Sequence, residues 1–235
     1  MPARAGMVRL LGHFLLDLLV YVLLAIAIVA AAVAVVFPSG ALKPSYTGTH
    51  AIMVTLALVA TALAGGLAWL FRRPGRGLAL ARGTVPAALV LALSVALLAQ
   101  LLPRLLAWGG LPLAPSNAAV ITRLFGEWPL VATVLVVLVA PLAEEAFFRG
   151  VLLRRFVVAG RPWAGLWLSA GVFALAHELF ADGPWTQTLV TSATYLAMGM
   201  LFGAVYVRTG RLSAAFLAHA ASNALALATV AFSGP

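Results

Sequence analysis

Long runs of apolar residues without any charge dominate this sequence and limit the folds open to it. The run from Leu18 to Leu42 contains 25 residues and no Asp, Glu, Lys or Arg. About 20 apolar residues are enough for a helix to cross the roughly 30 Å hydrocarbon core of a bilayer. These runs are continuous blocks, without the alternation of apolar and polar residues that barrel strands require. The sequence therefore predicts an all-α integral membrane protein.

The apolar blocks predict a polytopic bundle of about seven transmembrane helices in one integrated membrane domain. Short connections rich in Arg, Gly and Pro separate most of them. A longer connection, residues 103–129, is expected to lie at one membrane face, with a short interfacial helix over residues 118–128. The N-terminal helices and this connection occupy residues 1–128. The predicted spans are residues 18–42, 51–71, 85–102, 129–156, 163–180, 185–207 and 212–232.

Basic residues outnumber acidic residues by 15 to 6, although the mean hydropathy is +1.09. The arginines fall between the apolar blocks, where they orient helices and contact anionic lipid headgroups, so we expect no nucleic-acid partner. Their distribution predicts a cytoplasmic N-terminus and a C-terminus on the outer side. The Ala-, Leu- and Arg-rich composition suggests a bacterial inner membrane. The chain has no cysteine, which excludes disulfides, thiolate metal ligands and a cysteine nucleophile.

Two adjacent glutamates follow an apolar run within the predicted fourth span. A charged side chain at that depth costs about 2.5–3.5 kcal/mol on insertion scales, so it usually faces the protein interior and has a function. Glu145 and Arg149 are four residues apart with the acid first, which is the favourable order for a helical ion pair. Glu144 points about 100° away from Glu145. It is therefore left unpaired and could act as a general base.

Three further polar side chains lie inside apolar blocks. His177 follows Phe173 by four residues, and Asn223 follows His219 by four, so each pair shares one helix face. At about 1.5 Å per residue, three depths follow from cytoplasmic arginines on the same helices. They are roughly 16 Å for Glu144 from Arg155, roughly 12 Å for His219 from Arg211 and roughly 24 Å for His177 from Arg161. These depths permit one intramembrane site. There, a carboxylate and an imidazole would activate a water while Asn223 donates to a developing oxyanion, which is chemistry suited to a peptide bond.

Three motifs occur in order on successive apolar blocks: Glu144-Glu145-x-x-x-Arg149, Phe173-x-x-x-His177 and His219-x-x-x-Asn223. The pattern resembles the CPBP family of intramembrane proteases, which includes type II CAAX prenyl endopeptidases and bacterial bacteriocin-processing or immunity proteins. The resemblance covers residues 129–231, which makes residues 129–235 the expected catalytic core. It implies a glutamate-type endopeptidase that works among membrane lipids on a membrane-embedded or lipid-linked peptide.

The resemblance also implies a role for each motif position. Glu144 corresponds to the catalytic glutamate and His177 to the second catalytic position. Asn223, with His219, corresponds to the residues that steady the oxyanion. The supporting positions are Glu145, Arg149 and Phe173.

Other interpretations of the same residues remain open. No cofactor is expected, but Glu144, His177 and His219 could instead bind zinc, since two imidazoles and a carboxylate form catalytic zinc sites. The His-Glu-x-x-His helix of many zinc proteases is missing from the sequence. The polar residues could also be a structural ion-pair network with satisfied core histidines. The protein would then be a non-catalytic scaffold or a bacteriocin-immunity protein that binds a hydrophobic partner. A transporter would require inverted repeats, which the uneven placement of polar residues argues against.

Several remaining residues are assigned to structure. Asp17 is expected to pair with Arg9 or to snorkel towards the membrane surface, and Glu178 is expected to face the outer rim of the bundle. Gly199 and Gly203, four residues apart, predict close packing between helices.

Overall fold

The structure is a computed structural model that describes residues 2–36, 59, 63–67, 70, 85–110, 117–178 and 184–233. Within these ranges the regular structure is entirely helical, as predicted. We number the long and intermediate helices in chain order: α1 Pro2–Val36, α2 Val85–Trp108, α3 Ala118–Glu127, α4 Pro129–Val158, α5 Pro162–Glu178, α6 Trp185–Thr209 and α7 Leu212–Ser233.

Five helices of the described part are long and apolar enough to cross a membrane, namely α1, α2, α4, α6 and α7. This finding confirms the multi-pass all-α class. The first helix begins at Pro2, well before the predicted start. The predicted second span, residues 51–71, lies mostly outside the described residues. The predicted fifth span is α5, which has 17 residues and is shorter than the other five.

The fourth helix changes its winding twice. Its α-helical segment Ala140–Phe147, which contains both glutamates, lies between two π-helical segments, Val134–Val139 and Phe148–Leu153. Pro129 occupies a first-turn position of the helix, where a missing N–H costs nothing. π-Helical turns are rare and are frequent at functional sites. Here they rotate the glutamate segment relative to the rest of α4.

An aromatic cluster joins α1, α4 and α5. Its buried rings come from Phe14, Phe147, Phe148, Phe156 and Phe173. Edge-to-face pairs, such as Phe148 with Phe173 at 5.2 Å between centroids, hold the rings in place. Because lipid tails are as apolar as the side chains, van der Waals packing and hydrogen bonds have to stabilise such a core in a membrane. The cluster includes Phe147 and so holds the end of the glutamate segment in place.

Small residues bring α5 and α6 close together. A Cβ atom at Gly199 would lie 3.0 Å from the Cα atom of Ala170, and one at Gly203 would lie 2.4 Å from a methyl carbon of Leu166. The predicted close packing at these two glycines is confirmed. α6 then ends at Gly210, whose φ of +60° suits a left-handed helix cap and whose N–H donates to Tyr206.

Two acidic residues lie in surroundings that differ from the predicted ones. Asp17 is buried and accepts a hydrogen bond from Arg155 Nε, so α1 is tied to α4 and the expected snorkelling is wrong. Glu178 is also buried, and its carboxylate accepts a hydrogen bond from Thr191 on α6. The expected position of Glu178 on the outer rim is therefore wrong as well. Local spacing could not reveal either contact because both partners lie on other helices.

Candidate active site

The adjacent glutamates have different environments. The side chain of Glu145 is fully buried, whereas that of Glu144 is 22% exposed. The two side chains point in different directions because consecutive residues are about 100° apart on a helix. Glu145 therefore faces the bundle core, and Glu144 faces a more open region between helices.

Glu145 forms the ion pair that the sequence predicts. Its Oε1 atom lies 2.9 Å from Arg149 Nη1, and both side chains are buried. Arg149 Nη2 also donates to the carbonyl of Gly199 on α6 at 3.0 Å. The guanidinium carbon lies 5.0 Å from the ring centroid of Phe173, within the range of a cation–π contact. These contacts neutralise Glu145 and connect α4, α5 and α6.

His219 reaches the same carboxylate from α7. Its Nδ1 atom lies 2.9 Å from Glu145 Oε1, and its ring stacks on Phe202 at 4.6 Å. The paired carboxylate accepts hydrogen bonds, so Nδ1 of His219 is the donor. In the neutral imidazole, Nε2 then carries a lone pair. The His219–Glu145 contact was not among the roles predicted for this histidine, which were the oxyanion, a zinc site or a satisfied core position.

His177 has the same tautomer for a different reason. Its Nδ1 atom lies 2.8 Å from the backbone carbonyl of Phe173, which can only accept, so Nδ1 carries the proton. The ring is held between Phe173, at 4.4 Å between centroids, and Tyr195, at 4.3 Å. The Tyr195 hydroxyl donates to Asn117 Oδ1 at 3.2 Å. A neighbouring helix and the connection before α3 therefore fix the orientation of this imidazole.

Both imidazoles direct their Nε2 atoms at one oxygen of Glu144. The distance to Glu144 Oε2 is 3.9 Å from His177 and 3.8 Å from His219. These distances exceed a direct hydrogen bond, but a water about 2.8 Å from each atom can join them. Glu144 Oε2 is itself buried and makes no hydrogen bond to protein. Each Nε2 atom can therefore share a water with Glu144 Oε2, and all three atoms are acceptors that suit such a proton donor.

The same three atoms fit a metal ion less well in this arrangement. A tetrahedral zinc ion, with ligand distances of about 2.0–2.2 Å, places its ligand atoms about 3.4 Å apart. The two Nε2 atoms lie further than that from Glu144 Oε2. Among the described residues, no group of three His, Cys, Asp or Glu side chains has a geometry suited to a metal ion. The expectation that the protein needs no cofactor stays a prediction.

Asn223 lies one helical turn beyond His219, but its amide has a partner of its own. Asn223 Nδ2 donates to the backbone carbonyl of Val136, in the first π-helical segment of α4, at 2.9 Å. An amide nitrogen has two N–H groups, and this bond uses one of them. The structure thus brings Glu144, His177 and His219 together around one oxygen. It places Asn223 on the same side of α7, with one N–H engaged by α4.

Some contacts around the site gave no signal in the sequence. Tyr195 and Tyr21 are isolated aromatic residues in apolar helices, and such residues usually only fill space. In the structure Tyr195 stacks on His177, and Tyr21 stacks on Phe147 at 3.9 Å. Gly65 lies in the helical stretch at residues 63–67, where a Cβ atom would come within 2.6 Å of the Ala143 carbonyl oxygen. Only the assembled bundle reveals these contacts.

The membrane-length helices define a multi-pass membrane protein with polar residues buried in its core. Residues 126–225 match the family model described as Rce1-like, type II CAAX prenyl endopeptidase Rce1-like. Over these 100 residues the chain is similar to CAAX-type proteases, which supports the CPBP resemblance of its motifs. The matched segment contains all seven predicted site residues. No curated protein and no solved structure matches the chain.

Proposed function

We propose that the protein is an intramembrane endopeptidase that hydrolyses a peptide bond with a water activated by Glu144. The observation that carries this proposal is the approach of both imidazole Nε2 atoms to Glu144 Oε2, at 3.8 and 3.9 Å. A water bound there would donate its two hydrogens to acceptors of this group. Its oxygen lone pairs would then point away from the acceptors, towards a substrate.

In the first step the water oxygen attacks the carbonyl carbon of the substrate, and the C–O bond forms as the carbonyl π electrons move to oxygen. Glu144 takes the proton that the water loses, as a general base. His177 positions the water, because its ring is fixed by Phe173 and Tyr195. The ion pair between Glu145 and Arg149 carries no net charge, so the negative charge of Glu144 is the one available for this step.

The tetrahedral intermediate carries a negative oxygen that needs a donor. The second N–H of the Asn223 amide can supply it while the first remains bonded to Val136. His219 could add a donor only when its imidazole is protonated, because its neutral Nδ1–H already bonds Glu145. In the second step the proton on Glu144 passes to the leaving nitrogen. The C–N bond then breaks to give a carboxylic acid and an amine.

The surroundings of the site favour a substrate that reaches it from the membrane. Five described helices are apolar over membrane length, and Glu144 lies within one of them, α4. Glu144 and His177 are partly exposed, at 22% and 16%, whereas His219 is 3% exposed. Parts of the Glu144 and His177 side chains are thus accessible, although Glu144 Oε2 itself is buried. We propose a membrane-embedded or lipid-linked peptide as the substrate.

Isotope labelling of the product tests the reaction directly. Wild-type protein in lipid vesicles would be incubated with a panel of lipid-linked peptides in water enriched in oxygen-18. Hydrolysis predicts one heavy oxygen in each new carboxyl group, detected by mass spectrometry. The Glu144→Gln/His177→Ala double variant should give no labelled product. If the double variant kept the biological effect of the wild type, the scaffold or immunity function would replace the proposed one.

A further inference from the structure

Pro141 stands one turn before the glutamates and interrupts the backbone hydrogen bonds of α4. In the preceding π-helical segment each carbonyl accepts from the N–H five residues later, and Ala140 N–H donates to Leu135 in this way. The next bond of that series would join position 141 to the carbonyl of Val136. Proline has no N–H, so this bond cannot form. Pro141 is fully inside the helix, where the carbonyl of Val136 needs another donor.

Asn223 supplies the missing donor. Its Nδ2 atom lies 2.9 Å from the Val136 carbonyl oxygen, across the contact between α7 and α4. His219, one turn earlier on α7, bonds Glu145 at the same distance of 2.9 Å. Two hydrogen bonds therefore fix α7 on α4, one on each side of Pro141. An unsatisfied carbonyl is unfavourable in a membrane, so the freed acceptor holds the amide strongly.

We propose that Pro141 is a positioning residue that orients the Asn223 amide by leaving the Val136 carbonyl without a backbone donor. With one N–H bonded to Val136, the rotation of the amide is restricted, and its other N–H points in a fixed direction. The catalytic consequence rests on the proposed function, in which that second N–H donates to the oxyanion. The orientation itself does not depend on any reaction.

Side-chain amide NMR measures the orientation without a substrate. The chain contains two asparagines, Asn117 and Asn223, so protein labelled with [15N]asparagine gives two pairs of side-chain signals. Replacing Asn117 by Gln assigns them. In the wild type we expect one Asn223 proton to be shifted downfield by its hydrogen bond. In Pro141→Ala the new backbone N–H competes with Asn223 for the carbonyl of Val136. The chemical shifts of the two Asn223 side-chain protons should then become more similar.

A second proline of the same helix provides the control. Pro129 lies in the first turn of α4, where its missing N–H leaves no carbonyl for Asn223. Pro129→Ala should leave both asparagine signals unchanged. The proposal is overturned if Pro141→Ala also leaves the Asn223 signals unchanged, or if both variants shift them equally.

Kinetics then test the consequence for the proposed reaction. Loss of an oxyanion donor typically costs about 10²–10³-fold in rate, so kcat of Pro141→Ala should fall by up to that factor with little change in KM. The Pro141→Ala/Asn223→Ala double variant should be no slower than Asn223→Ala alone, because both changes remove the same donor. Additive losses would overturn the positioning role. Full activity of Asn223→Ala would instead show that Asn223 is not an oxyanion donor. The NMR experiment would still test whether Pro141 orients the Asn223 amide.

Discussion

His219 Nδ1 lies 2.9 Å from Glu145 Oε1, which connects the third motif of the chain to the first. This bond does more than attach α7 to α4. It assigns the proton of the neutral imidazole to Nδ1 and leaves Nε2 facing Glu144, 3.8 Å away. Glu145 is thus the residue that orients His219, while Glu144 keeps an oxygen free of protein donors. The two adjacent glutamates have different roles because Glu145 is bonded to Arg149 and His219 and Glu144 is not.

The imidazole tautomers can be observed by nitrogen NMR. We expect the neutral imidazoles of both His177 and His219 to carry their proton on Nδ1. A His13→Gln/His50→Gln background removes the other two histidines. Glu145→Gln should then change the ring signals of His219 strongly and those of His177 little, because His177 bonds a backbone carbonyl. Equal changes in both rings would contradict the assigned contacts.

Removal of the buried guanidinium should destabilise the bundle. Arg149→Met leaves Glu145 as a buried charge without its ion-pair partner, and such a loss costs about 3–5 kcal/mol. We expect a correspondingly lower free energy of unfolding in detergent. Arg208→Met is the control, since Arg208 is exposed near the end of α6. Equal stability of the two variants would show that the ion pair with Glu145 contributes nothing.

A close approach at Gly65 should matter for activity. A Cβ atom there would lie 2.6 Å from the carbonyl oxygen of Ala143, which directly precedes Glu144. Gly65→Ala should therefore displace the glutamate segment and lower kcat by about tenfold or more, since small misplacements in an active site can cost 10²-fold. Gly66→Ala is a matched control, because a Cβ atom at Gly66 meets nothing within 4 Å. Similar rates for the two variants would exclude a positioning effect of this contact.

Tyr195 should act on the site through its ring more than through its hydroxyl. The ring stacks on His177, whereas the hydroxyl donates to Asn117 at 3.2 Å. Tyr195→Phe keeps the stacked ring and should retain most of kcat. Tyr195→Leu removes it and should lower kcat while leaving KM near the wild-type value. A larger loss in the phenylalanine variant would assign the effect to the hydrogen bond instead.

Interactions within one helix could be predicted from the sequence, and interactions between helices mostly could not. The ion pair of Glu145 with Arg149 followed from their spacing of four residues, and the membrane-length runs gave the helix class. The bonds of His219 to Glu145 and of Asp17 to Arg155 depend on how distant helices rotate about their axes. Hydropathy carries no information on that rotation, because α1 and α7 are apolar around most of their circumference.

The winding of α4 was the largest local feature that the sequence did not reveal. A proline inside an apolar run predicts a kink or a break, but π-helical turns depend on neighbours that satisfy the freed carbonyls. Asn223 is one such neighbour, and it lies 87 residues from Val136. The sequence therefore indicated that Glu144, His177 and His219 can lie together, but not the contacts that orient them.

The rate of a single conservative variant tests the central claim most directly. Glu144→Gln keeps the size of the side chain and removes the base, so single-turnover cleavage of a lipid-linked peptide should fall by about 10²–10⁴-fold. Glu127→Gln, at an exposed position of α3, should cleave at the wild-type rate, and both variants should unfold at the same temperature as the wild type. Cleavage by Glu144→Gln within a few-fold of the wild-type rate would contradict the proposal that Glu144 activates the water.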